Sequence, residues 1–179
     1  RMISERLVGE GTITSGNFFA PQRLSESEIL TTHTSEYWYK LKTQTLTRKE
    51  ARPIGFEMTP ALVDRGRHIA HATYECALYA KQYGVAMNVA GGTHHAFADH
   101  GEGFCVFNDV CIASHLLLNR GQAKQILVVD LDVHQGNGNA SIMANEPRVF
   151  IFSMHGAKNY PFRKQVSDLD IELDNDTGD

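Results

Sequence analysis

The stretch QILVVDLDVHQGNG (residues 125–138) joins a mostly apolar run to a polar loop that contains two glycines. A continuous apolar run of this length is typical of a strand that is buried on both faces of a parallel sheet. Asp130, Asp132 and His134 follow at every second position, where the strand gives way to the loop. A strand that ran straight through them would present all three side chains on one face.

Two carboxylates and an imidazole at the end of a buried strand are costly to leave unpaired in a medium of low dielectric constant. A divalent cation would turn their mutual repulsion into attraction, and both side-chain types are common zinc ligands. The alternative is structural, with an aspartate that caps the next helix and a histidine that fills a surface notch. A catalytic zinc site takes about three protein ligands and a water molecule, so we expect at most two of these groups to bind zinc.

The neighbouring segments alternate between helical and strand-like patterns. Residues 60–83 carry apolar side chains at helical spacing and are followed by a glycine that suits a C-terminal cap, and residues 107–121 predict another helix. Residues 85–90 (VAMNVA) and 148–153 (RVFIFS) predict further strands, while Ser25–Glu28 predicts a capping box at the start of a short helix. This alternation predicts an α/β fold with three layers, α/β/α, around a mostly parallel sheet, and with functional groups at the carboxyl ends of its strands.

The composition of the 179-residue chain favours one globular domain spanning residues 1–179. The formal net charge of −4 argues against direct binding to nucleic acid, and the sequence lacks an apolar run long enough for a membrane span. Cys76, Cys105 and Cys111 match neither a disulfide framework nor a zinc knuckle and are predicted to be small buried residues. A reducing compartment is therefore expected, namely the cytoplasm, or the nucleus in a eukaryote.

A second polar cluster, GGTHHAFADHGEGFC (residues 91–105), contains the adjacent histidines His94 and His95. Adjacent histidines in a turn are not expected to point the same way, so two separate partners are more natural than one shared metal ion. Histidine titrates close to neutrality, which suits a general base that reaches a water molecule, although a structural role in the turn is equally open. Gly103 and Phe104 place bare backbone beside an aromatic ring, which suits one wall of a narrow pocket or a packed turn.

The sequence contains three motifs in the order GGTHHA, GFCVFND and DLDVHQGNG. Their combination, in this order and at these separations, is far more specific than any one motif alone. Together they closely resemble the histone deacetylase family of zinc-dependent amidohydrolases, which has the arginase/deacetylase fold. The resemblance begins loosely near THTSEYWYKL, tightens from Ile54 onward and continues into the acidic LDIELDNDTGD. It covers most of the chain and implies that fold and a hydrolytic activity on amides.

The resemblance implies zinc chemistry at the two histidine-containing motifs. Asp132 and His134 match two of the three zinc ligands of the family. His94 and His95 match the paired histidines beside the zinc-bound water, and His95 is the one expected to act as general base. Asp130 matches the carboxylate that supports the first of these histidines. In this scheme zinc polarises the amide carbonyl and lowers the pKa of its water, His95 takes a proton, and acetate leaves as the amine is protonated.

Asn137 matches a position where some members of the family carry an aspartate that partners the second histidine. An amide orients an imidazole without adding a charge, so it raises the basicity of His95 less than a carboxylate would. The QGNG form of this motif resembles the class II branch and the class IV or bacterial branches, and it differs from class I.

The resemblance also implies a substrate tunnel and a second cation site. Gly103 and Phe104 match the rim and wall of a tunnel for an acyl-lysine side chain. The substrate implied is an acylated lysine of a protein such as a histone, or an acetylated small amine such as a polyamine. A monovalent cation, with K⁺ as the candidate, is implied at a set of groups near the strand ends: Asp130, Asp132, His134, Ser153 and the Met154 backbone.

Two elements of the family's site are expected to be absent from residues 1–179. The third zinc ligand and a carbonyl-polarising tyrosine belong to later segments of the family, and Tyr160 lies outside such a context. We therefore expect a partial catalytic domain, incomplete at both ends, whose parent protein is an active deacetylase and which is itself impaired. The alternatives are a non-catalytic, truncated binding module, and arginase-like chemistry on two manganese ions, which needs further carboxylates around GGTHHA.

Overall fold

The computed structural model of the protein describes residues 2–178, so Arg1 and Asp179, the ends of the predicted 1–179 domain, lie outside the described residues. Two short 3₁₀ turns cover Ser15–Asn17 and Arg52–Ile54. The α-helices of the described residues are α1 (Met2–Gly9), α2 (Glu26–Ile29), α3 (Ser35–Thr43), α4 (Arg48–Ala51), α5 (Pro60–Tyr83), α6 (Asp109–Asn119) and α7 (Asn137–Met143). The strands are β1 (Ile126–Asp130), β2 (Val149–Gly156) and β3 (Leu169–Leu173).

The strands form one parallel sheet in the order β1-β2-β3. In this register Asp130 lies opposite Ser153, and Ser153 lies opposite Asp170 on the other side. Parallel neighbours need a crossover connection, and α7 lies in the connection between β1 and β2. The predicted parallel α/β class is confirmed, and Asp130, the last residue of β1, lies beside the middle of β2.

The two longest helices agree with the predictions and have recognisable end signals. Helix α5 spans the predicted residues 60–83, with Thr59 accepting a hydrogen bond from the Leu62 amide at 3.1 Å and Gly84 at a φ of 90° after its last turn. Helix α6 begins after Asn108, whose Oδ1 accepts from the Cys111 amide at 2.9 Å. The capping box at Ser25 is also confirmed at the start of α2.

The largest core cluster lies between the helices. It joins α3, α5 and α6 with the loop that precedes α6, and includes Trp38, Ile54, Tyr74, Phe107 and Ile112, each at most 5% exposed. Burial of apolar side chains of this size contributes roughly 1.5–3 kcal/mol each. This cluster fixes the start of α6, which in turn positions the second polar cluster of the sequence.

The prediction of a strand at residues 85–90 is wrong. These residues form turns and irregular structure, and Val85, Met87 and Val89 are 77%, 70% and 55% exposed. The segment has no ladder partner among the described strands, and Asn88 instead donates to the Ile69 carbonyl oxygen at 2.9 Å. An apolar sequence forms a strand only where a neighbour can pair with its backbone.

The two faces of the sheet differ in their surroundings. On one face Val149 and Ile151 of β2 are buried against side chains of α6 and α7. On the other face, which we call the open face, Leu127, Val129 and Phe150 are 63%, 54% and 46% exposed. The prediction that these strands are buried on both faces is therefore wrong within residues 2–178, because the described helices cover one face.

The three cysteines behave as the small buried residues that were predicted. Cys76, Cys105 and Cys111 are all buried and carry free thiols. Burial raises the pKa of the Cys105 thiol to about 11, so it is protonated and unreactive near neutrality.

Among residues 2–178, none of the helices combines the length and the apolar character that crossing a bilayer requires.

His33 is expected to make the stability of the fold depend on pH. Its Nδ1 lies 3.3 Å from the Ala98 carbonyl oxygen, its Nε2 accepts the Asn108 amide at 3.1 Å, and burial lowers its pKa from 6.5 to about 4. At pH values between these two pKa values, His33 is protonated in the unfolded chain and neutral in the folded chain. The free energy of unfolding should therefore fall as the pH falls through this window, by about 3 kcal/mol in total.

Replacement of His33 by glutamine tests this assignment, because Gln is neutral and its side-chain oxygen can accept from the Asn108 amide. We expect urea denaturation between pH 7 and pH 4 to show a shallower loss of stability for the variant than for the wild type. Parallel curves for the two proteins would show that His33 does not cause this dependence.

Candidate active site

The loop that carries the paired histidines is held by Asp109, a carboxylate with no exposed surface at the start of α6. Its Oδ1 accepts from the amide and the hydroxyl of Thr93, at 2.7 and 2.6 Å. Its Oδ2 accepts from the Gly92 amide at 3.0 Å and from the Thr73 hydroxyl at 2.5 Å. Four donors from the loop and from α5 therefore converge on one buried side chain.

Two asparagines hold the same loop from its other end. Asn108 donates through Nδ2 to the Ala96 carbonyl oxygen at 3.0 Å and to Asn139 Oδ1 at 2.9 Å. The backbone amide of Asn139, in α7, donates to the His94 carbonyl oxygen at 3.2 Å. The first turns of α6 and α7 thus fix the backbone on both sides of the histidine pair.

The two histidines have separate partners, as predicted. His94 Nδ1 donates to Asp130 Oδ2 at 2.6 Å, and His95 Nδ1 lies 2.7 Å from Asn137 Oδ1. The expectation that the two rings point apart is wrong, since their centroids are 4.1 Å apart with a tilt of 45°. The two partners are the last residue of β1 and the first residue of α7, and this brings the two buried rings side by side.

Asp132 and His134 lie in successive turns beyond the strand. Strand β1 ends at Asp130, whose Oδ1 accepts the Asp132 amide at 3.1 Å, and Asp132 Oδ1 accepts the His134 amide at 2.8 Å. Aspartate side chains favour such local turns. The strand therefore does not run straight through the three residues, and the side chains of Asp132 and His134 are 52% and 42% exposed, whereas that of Asp130 is 9% exposed.

The Asp132 and His134 side chains provide two donors of the types that zinc prefers. His134 Nδ1 lies 3.2 Å from Asp132 Oδ1, so an oxygen and a nitrogen donor are adjacent. Within residues 2–178, no group of three or more His, Cys, Asp and Glu side chains is arranged to hold a metal ion. The donor chemistry of this pair therefore fits part of a zinc site.

The groups predicted to hold a monovalent cation lie at the junction of β1 and β2. Both Asp130 carboxylate oxygens are already engaged, one by His94 and the other by the Asp132 amide. Ser153 is 1% exposed, and its hydroxyl lies 2.9 Å from His155 Nδ1. Met154 is partly buried on the same strand. The cation site itself stays a prediction.

Gly103 and Phe104 bring backbone against the His95 ring. Gly103 has a φ of 54°, and a Cβ atom there would lie 2.6 Å from His95 Cδ2. Only glycine avoids that contact at this backbone conformation. Phe104 also has a positive φ, 65°. The residue is 65% exposed, and its ring packs on that of Phe56 with centroids 5.1 Å apart. An exposed aromatic surface therefore lies next to the buried histidines.

Glu102 and Tyr160 are two residues of this site that the sequence did not reveal. The Tyr160 ring lies 5.0 Å from the His95 ring and 6.0 Å from the His134 ring, measured between centroids. Its hydroxyl donates to Glu102 Oε1, which also accepts from Asn137 Nδ2 at 3.0 Å. The available signal was a lone carboxylate between two glycines in GEGFC.

Comparison with known proteins identifies the family to which the chain belongs. The family model for the histone deacetylase domain matches residues 1–176. The chain belongs to the histone deacetylase family. An uncharacterized protein of Picosynechococcus is 41% identical over 97% of this chain and 58% of its own length. Histone deacetylase 2 of Arabidopsis thaliana is 31% identical over 87% of this chain and 42% of its own length.

Solved structures of the family share the fold. The crystal structure of a histone deacetylase homologue from Aquifex aeolicus matches 94% of this chain and 51% of that chain, with a TM-score of 0.76 and 25% identity. A homologue complexed with SAHA matches with a TM-score of 0.75. The α/β arginase/deacetylase-like fold predicted from the sequence is thus confirmed. The chain spans about half the length of these relatives.

The surroundings of His95 favour its neutral form. Burial, followed by the neighbouring His94, lowers its pKa, and the contact with Asn137 opposes this shift. A histidine with a lowered pKa is largely uncharged near neutrality. One ring nitrogen of His95 is therefore free to accept a proton at the pH at which most proteins work.

Proposed function

We propose that the whole protein is a zinc-dependent deacetylase that hydrolyses the amide of an acylated lysine side chain, as in a histone, or of an acetylated small amine. The observation that carries this proposal is the pair of buried imidazoles, 4.1 Å apart, each oriented by its own acceptor. Residues 1–179 would be part of a single catalytic domain in the cytoplasm, or in the nucleus of a eukaryote. Family membership supports the deacetylase class.

The two histidines handle protons in this proposal. His95 directs Nδ1 to Asn137, which leaves Nε2 to take a proton from the attacking water. His94 directs Nδ1 to the Asp130 carboxylate, which orients the ring and fixes the hydrogen on Nδ1. Such a difference suits two roles, with His95 accepting the first proton and His94 assisting protonation of the departing amine.

The remaining predicted residues would hold the metal ions and the substrate. Asp132 and His134 would bind zinc, which when bound supplies a Lewis acid that polarises the amide carbonyl. Gly103 and Phe104 would line the path of the acyl-lysine methylene groups, because bare backbone and an exposed ring flank His95. A K⁺ ion would bind where β1 and β2 end, at the groups predicted above.

A second candidate is a non-catalytic binding module formed by residues 1–179 alone. One observation favours it: within residues 2–178 the predicted zinc ligands amount to a pair, and no larger cluster is present. The isolated chain is then expected to bind zinc weakly and to turn over substrate far more slowly than the whole protein does.

Metal dependence tests the proposed function. We expect the whole protein to hydrolyse an acetyl-lysine peptide or an acetylpolyamine, to lose that activity on chelation and to regain it with zinc. Asp132→Ala should lower bound zinc, measured by atomic emission after dialysis, and activity together. Asp174→Ala, an exposed aspartate after β3, is the matched control and should keep both. Full turnover after complete removal of metal would contradict the proposal.

A further inference from the structure

Glu102 lies at the centre of a hydrogen-bond network behind His95. Its side chain is 21% exposed, and its Oε1 accepts from Asn137 Nδ2 and from the Tyr160 hydroxyl. Its other oxygen lies 3.7 Å from His100 Nε2. The hydrogen bonds of Glu102 connect it to His95 through Asn137, whose Oδ1 lies 2.7 Å from His95 Nδ1, while the Tyr160 ring contacts the His95 ring.

The polarity of these hydrogen bonds runs in one direction. A carboxylate has no hydrogen to donate, so the end of the Asn137 carboxamide that faces Glu102 must be its NH₂ group. The oxygen of the carboxamide must then face His95. Because an amide oxygen only accepts, His95 Nδ1 must carry the hydrogen, and Nε2 keeps its lone pair. A base that is to accept a proton at Nε2 needs this tautomer.

Without Glu102, a rotated Asn137 carboxamide would fit almost the same space. Its NH₂ group would then face His95 Nδ1, and the hydrogen of the imidazole would move to Nε2. That tautomer has no lone pair at Nε2. An aspartate at position 137 would not need this help, because both of its oxygens accept and either orientation selects the hydrogen on Nδ1.

We propose that Glu102 is a positioning residue that fixes the orientation of the Asn137 carboxamide and, through it, the tautomer of His95. This inference rests on the proposed function for its catalytic meaning, since it assigns His95 Nε2 as the proton acceptor. Glu102 and Asn137 together do what a single aspartate would do, with the negative charge placed beyond the amide and not directly against the His95 ring. Tyr160 completes the network by donating to the same oxygen of Glu102.

The tautomer of His95 is the direct test. In the whole, metal-free protein labelled with ¹⁵N-histidine, we expect the wild-type His95 spectrum at pH 8 to show a protonated Nδ1 and a bare Nε2. Glu102→Ala should add a large fraction of the opposite tautomer and lower kcat about 10-fold with little change in KM, the lower range for loss of a group that orients a functional side chain. An unchanged His95 tautomer in Glu102→Ala would overturn the inference.

A second substitution separates positioning from a general loss of structure. Glu102→Ala combined with Asn137→Asp should return His95 to the wild-type tautomer and recover most of kcat, because the aspartate accepts without help. Failure of this rescue in a folded double variant would also overturn the inference. Asp99→Ala removes a carboxylate from the same loop, one that contacts His100, and should leave the His95 spectrum unchanged.

The two proposals fail in different ways. A whole protein that hydrolyses no acyl-lysine or acetylamine, but whose His95 tautomer follows Glu102 as expected, would contradict the proposed function and support the positioning role. Hydrolysis that persists in a protein whose tautomer ignores Glu102 would support the function and contradict the positioning role.

Discussion

The whole protein with His95→Ala should hydrolyse an acetyl-lysine peptide 10² to 10⁴ times more slowly than the wild type, the range for loss of a general base. The reason is geometric, because His95 is the imidazole whose Nδ1 faces a neutral amide oxygen and whose pKa is lowered by burial. The nearby His94 is committed to the Asp130 carboxylate. It is not expected to substitute for the lost base.

The measurement is kcat and KM with a fluorogenic peptide, with bound zinc determined on the same samples. Retained zinc and a nearly unchanged KM would show that the loss arises in the chemical step. His68→Ala is a suitable control, because His68 is a partly exposed histidine on α5 whose described contacts are with Asp64 and the Pro21 backbone. A kcat for His95→Ala within threefold of the wild type would rule out the proposed role of this residue.

Asp109→Ala should lower the free energy of unfolding by about 3–5 kcal/mol, because it leaves buried donors without their acceptor. The substitution leaves four donors without an acceptor, two of them backbone amides in the histidine loop. Each unsatisfied buried donor costs about 1–3 kcal/mol, and relaxation of the loop keeps the total below the simple sum. We also expect the His94–Asp130 contact to be lost when the loop moves.

Urea denaturation of Asp109→Ala beside two other variants measures this effect. Asp109→Asn keeps one acceptor oxygen and should lose less stability than the alanine variant. Asp64→Ala removes an exposed ion pair with Arg23, and such pairs contribute about 0–1 kcal/mol. If Asp109→Ala lost no more stability than Asp64→Ala, the histidine loop would have to be held by other contacts.

Local signals in the sequence predicted the elements that are stabilised locally. Helix α5 has a threonine cap, a proline at its first position and a glycine at its end, and all of these act within one turn. Residues 85–90 are also apolar, as a buried strand would be, but a strand needs a partner from elsewhere in the chain. Their pattern contained no information on whether that partner exists.

The residues of the candidate site also differ in whether the sequence could reveal them. His94, His95, Asp132, His134 and Asn137 belong to compact motifs, so family resemblance could single them out. Glu102 contacts Asn137 and Tyr160, which follow it in the sequence by 35 and 58 positions. Asp109 binds the loop at Thr93, which precedes it by 16 positions. Contacts over such separations are created by the fold, and a single sequence offers no periodicity or cap from which to infer them.

The open face of the sheet and the candidate site share strand β1, so a change in one is expected to affect the other. Leu127 and Val129 alternate with partly buried side chains of β1, and the same strand ends at Asp130. Water solvates such a surface poorly, and a contiguous apolar face promotes adhesion between molecules. A segment or partner that covered this face would therefore also stabilise the backbone from which Asp130 orients His94. A substitution on the far side of the sheet could thus alter proton transfer without touching a histidine.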